Sequence, residues 1–235
     1  MPLVTTRRGG LVGQVIDQLR DAISSGEWPV GHRIPPEAEL SATFEVGRNT
    51  VREAVRALAH SGLLEVRQGD GTYVRATSEL SGALRTLCGR ELREVLEVRR
   101  TLEVDAARMA AARRTEEDLA ALRDAEAERN AAVGAVAEAT RSGPVADPEL
   151  VERAARADTD FHLAVVRCSG NALLTELYRG VVETVAGSVA TTMPDTVGTD
   201  RDVSHEGLVE AIAARDVERA AREAGDFLER LLERS

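Results

Sequence analysis

The chain has 235 residues, 40 acids against 30 basic residues for a formal net charge of −10, and only 3% aromatic residues. Every basic residue is arginine, which excludes chemistry that needs a Schiff-base lysine, and a core this poor in aromatics must be built from Leu, Val, Ile and Ala, which favours helices. The N-terminus has no apolar run suited to a signal peptide, no stretch approaches the roughly 18 uncharged apolar residues of a membrane span, and Cys88 and Cys168 are too far apart for a metal finger, so the chain reads as cytoplasmic with two reduced thiols.

Charge is spread unevenly. Residues 1–76 hold nine Arg and nine acids, while the rest holds 21 Arg against 31 acids. A neutral module with clustered Arg, joined to an acidic module, implies two jobs on one chain. In chain order, Leu11, Val15, Leu19 and Ile23 step by four and predict an amphipathic helix that stops near Gly26. "GEWPVGHRIPP" is a loop, and "PEAELSATF" is a short helix with acids in its first turn. After the tight turn "EVG", a helix runs from Arg48 to about His60, with Val51, Ala54, Val55 and Leu58 on one face and Arg48, Asn49, Arg52 and Arg56 on the next. "LLEVR" and "TYVR" are strand-like and joined by "QGDG", a hairpin signature. Three helices followed by a hairpin predict a winged helix-turn-helix over residues 1–76.

Residues 77–90 read as a linker. Beyond it no strand pattern appears, and residues 91–235 predict an all-helical bundle. Its helices begin with "ELREVLEVRRTLEVDAARMAA" and "TEEDLAALRDAEAERNAAV", the second capped by Thr115. After the connector "GPVADP" come "ELVERAARADTDFHLAVVRCSG" and "NALLTELYRGVVETVAGSVATT", the latter with Asn171 as its N-cap. The loop "MPDTVGTD" precedes two closing helices around 202–214 and 216–233. The fold class is mostly α.

Phosphate contacts give DNA affinity, and side chains at base edges give specificity. A recognition helix offers its N-terminal residues to the major groove, where Arg pairs bidentately with guanine and Asn with adenine. Arg48, Asn49, Thr50 and Arg52 supply that chemistry at the start of the third helix, and "QGDG" supplies a wing tip small enough to approach the backbone. A solvated Arg-rich face with an ordinary hairpin is the plain alternative for any one of these residues. The ordered set points to double-stranded DNA.

Residues 11–75 resemble the GntR family of bacterial transcription regulators, through "LRDAISSGEWPVGHRIPPEAEL" and "VGRNTVREAVRALAHSGLLEVRQGDGTYV" in that order. The helical remainder, with "EVRRTLE", "DTDFH", "SGN" and "SHEGLVEAIAARDVERA", is similar to the effector-binding domain of the FadR-type (FCD) branch. The resemblance implies DNA contacts at Arg48, Asn49, Thr50, Arg52, Gln68 and Gly69. Two departures matter: Ala38 stands where the family often has a DNA-contacting Arg, and Gly47 replaces a hydroxyl that could cap the helix and touch phosphate.

In the second module, polar groups interrupt apolar stripes. Asp158 and His162 share a face with Val151, Ala154, Ala155, Phe161 and Val165; His205 lies with Leu208, Val209 and Ile212; Arg99 lies with Leu92, Val95, Leu102 and Ala106, one turn before Glu103. Buried ionisable groups are expensive unless they pair, bind metal or meet a ligand. Carboxylate and imidazole suit divalent metals, whereas satisfied core histidines are the simpler alternative. The resemblance implies one divalent metal ion held by an Asp and three His. Asp158, His162 and His205 match three of those positions, and the fourth is Phe227. It also implies a small organic-acid-like effector met by Arg99, which could instead pair only with Glu103, and by Asn171 of "SGN". The expected partners are an inverted-repeat DNA operator, the effector and a second copy of the chain, with no membrane. The expected function is an effector-modulated transcription repressor and not an enzyme. A two-His-one-carboxylate metalloenzyme and an effector-independent DNA-binding dimer are the alternatives.

Overall fold

Val15, Leu19 and Ile23 bury one face of α1 (Leu11–Ser24), whereas Leu11 from the same sequence stripe stays 57% exposed at the helix start. The structure is a computed structural model that describes residues 10–87, 92–142, 147–183 and 205–234. Cys88, the end of the expected linker, the first four residues of the "GPVADP" connector, residues 184–192 of the expected helix after Asn171, the "MPDTVGTD" loop and residues 202–204 of the helix expected around 202–214 lie outside the described residues.

The chain divides into two units, residues 1–87 and 88–235. In the first, α1 packs on α3 (Arg48–His60) through Val51, Ala54, Val55 and Leu58, and α2 (Glu37–Thr43) adds Leu40 to the same core. Glu45 has φ 53 in the turn between α2 and α3, and the Ser41 hydroxyl donates to Val46 O at 2.6 Å to close it. β1 (Leu64–Arg67) and β2 (Gly71–Val74) form the antiparallel hairpin, with Leu64 opposite Val74 and Arg67 opposite Gly71. The loop before α2 adds an edge to this hairpin: Ile34 N donates to Thr72 O and Val74 N to His32 O, both at 2.9 Å. Part of the stretch read as a linker is helical, α4 (Glu79–Leu87). It lies against the turn after α3, where a Cβ on Gly82 would meet Gly62 backbone atoms at 2.9 Å and one on Gly62, which has φ +83, would meet Gly82 Cα at 3.0 Å. Two glycines therefore permit a backbone-to-backbone approach that a side chain would block.

Among its described residues the second unit consists of helices joined by turns and coil, without a strand: α5 (Leu92–Arg113), α6 (Glu116–Ser142), α7 (Pro148–Arg167), α8 (helical over 172–183), α9 (Glu206–Ala213) and α10 (Val217–Arg234). α6 opens on a capping box, in which Thr115 Oγ1 accepts from Asp118 N at 3.0 Å and Asp118 Oδ2 from Thr115 N at 2.9 Å. It runs on past Val133, because Ala132 and Val136 are buried with Ala154 and Ala157 of α7. α7 starts with Asp147 as N-cap and Pro148 in its first turn. α5 packs along α10 and α6 along α7. The central core combines Ala107, Ala110 and Ala111 of α5 with Leu122, Phe161, Val165, Leu208 and Ile212. Small alanines let the backbones approach closely, so larger polar side chains of the neighbouring turns meet in the interior.

Candidate DNA interface and buried polar centre

Gly47 precedes α3 at the N-cap position, where its backbone is extended and no side-chain cap is made, in keeping with the missing hydroxyl. Arg48, Asn49 and Arg52 are exposed along its first turns, and Thr50 is half-buried. Gln68 and Gly69 are exposed at the hairpin tip, where Gly69 takes φ +79. Arg52 is not a loose side chain: its Nη2 and Nε donate to Glu37 Oε2 of α2 at 2.9 and 3.1 Å. The pair is about half exposed, and it orients the guanidinium without removing it from solvent. On the wing, the Arg67 guanidinium stacks 4.3 Å over the Tyr73 ring, and the Tyr73 hydroxyl donates to Asp70 at 3.0 Å. These contacts stiffen the tip.

In the second unit, α5, α7 and the start of α9 bring their stripe residues together. Arg99 Nε donates to Glu103 Oε1 at 2.5 Å, one turn along α5. The Tyr178 hydroxyl of α8 donates to the same oxygen at 2.6 Å. Glu103 Oε2 lies 2.9 Å from His162 Nδ1 of α7. Both His162 ring nitrogens are buried and make no aligned hydrogen bond, and Nε2 lies 3.8 Å from Asp158 Oδ2. Asp158 Oδ1 accepts from Arg129 Nε of α6 at 2.7 Å. His205 stands at the N-cap position of α9, with its ring centroid 5.0 Å from that of His162. Asp158, His162 and His205 each offer one ligand atom, all within 4.8 Å of one another.

The two imidazoles sit in an aromatic box. Phe161 meets both edge-on at 5.3 and 4.9 Å, and Phe227 stacks on His162 at 5.2 Å and meets His205 at 4.7 Å. Phe227, where the resemblance implied a fourth ligand, thus places a phenyl ring against both histidines. Electrostatics follow from burial opposed by neighbours. Burial pushes the Glu103 carboxyl up, but Arg99 and His162 outweigh it and hold it well below the usual range. Burial likewise raises Asp158, and His162, Arg129 and Arg99 overcome that and keep it below its ordinary value. Burial lowers Arg99, but Glu103, Tyr178 and Asp158 more than restore its charge.

The expected residues therefore converge, with differences. Arg99 is engaged by Glu103 in the plain pairing, yet that same carboxylate reaches the histidine of the centre. Asn171 uses its carboxamide oxygen to accept from Leu174 N at 3.2 Å, capping α8. Sequence reasoning missed Arg129 and Tyr178. Arg129 carried the same signal as the others, a charge within the Leu122, Ala125, Ala132, Val136 stripe of α6. The donor set of two imidazoles and one carboxylate fits a borderline divalent ion, with three protein ligands where four were implied.

A winged helix-turn-helix with exposed arginines, followed by a helical domain with a buried His–carboxylate centre, defines a two-part DNA-binding regulator. The profile of "Bacterial regulatory proteins, gntR family" matches residues 11–74, and that of the FCD domain matches residues 94–230. The chain is 37% identical over 165 residues to the HTH-type transcriptional regulator LutR of Bacillus subtilis (strain 168), covering 68% of each chain. It is 28% identical over 234 residues to the putative L-lactate dehydrogenase operon regulatory protein of Escherichia coli (strain K12), covering 94% of this chain and 83% of that one. Among solved structures, E. coli McbR/YncC shares the fold with a TM-score of 0.57 at 19% identity, over 96% of this chain and 98% of the other. The protein belongs to the GntR family, as a DNA-binding transcription regulator with an FCD effector-binding domain. Its family and relatives are regulators and not enzymes. Among the described residues, no helix is long and apolar enough to cross a membrane.

Proposed function

We propose that the chain is a homodimeric cytoplasmic repressor that binds an inverted-repeat operator and releases it when a small organic acid enters the second unit. Residues 1–76 are the reading head, 77–90 the connection, and 91–235 the sensing and dimerising part. The DNA contacts are Arg48, Asn49, Thr50, Arg52, Gln68 and Gly69. One winged helix reads only a few base pairs, and a two-fold protein finds matching two-fold symmetry in its operator.

The observation that carries the sensing reading is the buried convergence of Arg99, Glu103, Asp158 and His162 beside His205. Asp158, His162 and His205 would hold a divalent metal ion, which supplies, when bound, a Lewis-acidic positive point for the oxygens of an acid. Glu103 lies 2.9 Å from Nδ1 of His162, and Nε2 faces Asp158 at 3.8 Å. Arg99 and Arg129 balance Glu103 and Asp158 in charge. A divalent ion adds two positive charges to this interior, and burying them calls for an anionic ligand. Arg99 can clamp a carboxylate, with Asn171 at the start of α8 as a further polar contact. A relative named for an L-lactate dehydrogenase operon agrees with a small organic acid. To act, the acid must bind one arrangement of the reading heads better than another.

The test begins with operator selection from a random DNA pool, followed by release assays with small organic acids in the presence of zinc. The wild type is expected to release DNA, and His162→Ala and Arg99→Ala to stay bound. Release by no acid, together with absence of metal in protein purified without chelator, overturns the sensing reading and leaves an effector-independent dimer. Arg48→Ala or Arg52→Ala should weaken operator binding by about 1–3 kcal/mol for each base no longer read, measured by gel shift.

A further inference from the structure

α9 has eight residues, and a helix of two turns is marginal without help at its ends. Its last four carbonyls have no partner inside the helix. Three are met by the following turn: Glu210 O accepts from Ala214 N at 2.8 Å, Ala211 O from Asp216 N at 2.9 Å and Ile212 O from Arg215 N at 3.2 Å. The fourth, Ala213 O, accepts from Arg114 Nη2 at 2.7 Å, and Arg114 Nε also points at Ile212 O at 3.4 Å. Arg114 directly follows α5 and is 7% exposed. The reverse also holds. Arg215, just past α9, donates through Nη1 to Ala112 O at 3.3 Å and through Nη2 to Arg114 O at 3.0 Å. Each arginine therefore caps the helix that the other one follows, and each brings a positive charge to a negative helix end.

The backbone at Arg215 adds a second argument. Asp216 N to Ala211 O and Arg215 N to Ile212 O form a Schellman turn, with Arg215 at the left-handed position and φ 59. Glycine is favoured there. The turn alone gives no reason for an arginine, and the cross-helix bonds of its side chain do. The turn leads straight into α10, capped by Asp216 Oδ1 accepting from Arg219 N at 3.0 Å. α10 carries Phe227, and the opposite end of α9 carries His205.

We propose that Arg114 and Arg215 are positioning residues, a reciprocal latch that fixes α9 on α5 and so holds His205 in register with Asp158 and His162. This rests on the reading of His205 as a ligand in the buried centre. Lever length explains why the latch matters. Eight residues span about 12 Å, so a tilt of about 5° at the latch moves the histidine by about 1 Å, against the ~0.2 Å tolerance of metal–ligand distances.

The full-length chain has four histidines, so selective labelling gives a simple histidine NMR spectrum. His205 and His162 both lie within 5.3 Å of Phe161 and Phe227, so ring currents act on both resonances, and comparison with His205→Gln assigns that of His205. The experiment compares wild type with Arg215→Gly, which keeps the turn and removes the guanidinium, and with Arg114→Met, which keeps bulk. Arg215→Gly should retain a Tm close to wild type, because glycine relieves the left-handed backbone. In both variants the His205 resonance should shift toward its unstructured position, and zinc affinity should fall about tenfold. A His205 resonance that stays in place in both variants overturns the latch, as does, where the wild type binds zinc, an unchanged zinc affinity in both. A shifted resonance in variants of a wild type that takes up no zinc supports the latch and defeats the ligand reading instead. Arg215→Gly keeps the test decisive if Arg114→Met fails to fold.

Discussion

At the residue scale, Phe227 stands where the resemblance implies a fourth metal ligand. Its ring stacks on His162 and meets His205 edge-on, so an apolar wall takes the place of a nitrogen. Phe227→His should raise zinc affinity by at least tenfold, measured by competition with a chromophoric chelator; unchanged affinity would mean that the three donors do not share an ion. Cys168 is a different case. It is 3% exposed, with Sγ 3.5 Å from Asp118 O, and burial pushes its thiol up to about 11, helped by the Asp118 charge. Thiolate is the reactive form. In a Cys88→Ser background, alkylation at pH 8 should therefore be slow in the folded protein and fast in urea. Rapid reaction of the native protein at pH 8 would contradict the burial.

At the element scale, α6 and α7 are joined by alanines and by one buried ion pair. Arg129 and Asp158 are 10% and 15% exposed in their side chains, and the guanidinium also lies 5.9 Å over Phe161. Removing one partner of such a pair strands the other charge, so Asp158→Ala should destabilise the second unit by about 3–5 kcal/mol. Arg129→Met with Asp158→Ala should lose less than the two single changes added together. Urea titrations of all four proteins would check this, and strict additivity would show that the pair is not coupled. The same pair marks the limit of sequence reading. Stripes at helical spacing revealed the helices, and charges lying within those stripes revealed Asp158, His162, His205 and Arg99. Which charge meets which depends on how helices far apart in sequence pack, so Glu103 beside His162 and Arg129 on Asp158 were not legible. Main-chain bonds leave still less trace. The edge added by residues 31–34 and the crossed bonds of Arg114 and Arg215 to carbonyls follow no side-chain pattern. The capping box at Thr115 and the hairpin at "QGDG" were legible because local chemistry alone makes them.

At the scale of the whole molecule, charge separates the two jobs. The excess of acids lies beyond residue 76, while the arginines of α3 and the wing are exposed on a neutral first unit. Phosphate contacts release counterions, so the logarithm of affinity falls with the logarithm of salt at a slope of about 0.9 per phosphate neutralised. The acidic second unit should add nothing to that slope per reading head. What it should add is a second head, by holding two copies together. Residues 1–87 have their own core of Val15, Leu19, Ile23, Val51 and Leu58 and can be prepared alone. On the selected operator, the full chain should show about twice the salt slope of residues 1–87 and a much higher affinity, because its second head binds at the effective concentration set by the dimer. If the fragment matches the full chain in both slope and affinity, the second unit does not dimerise the reading heads and the two-fold operator reading fails.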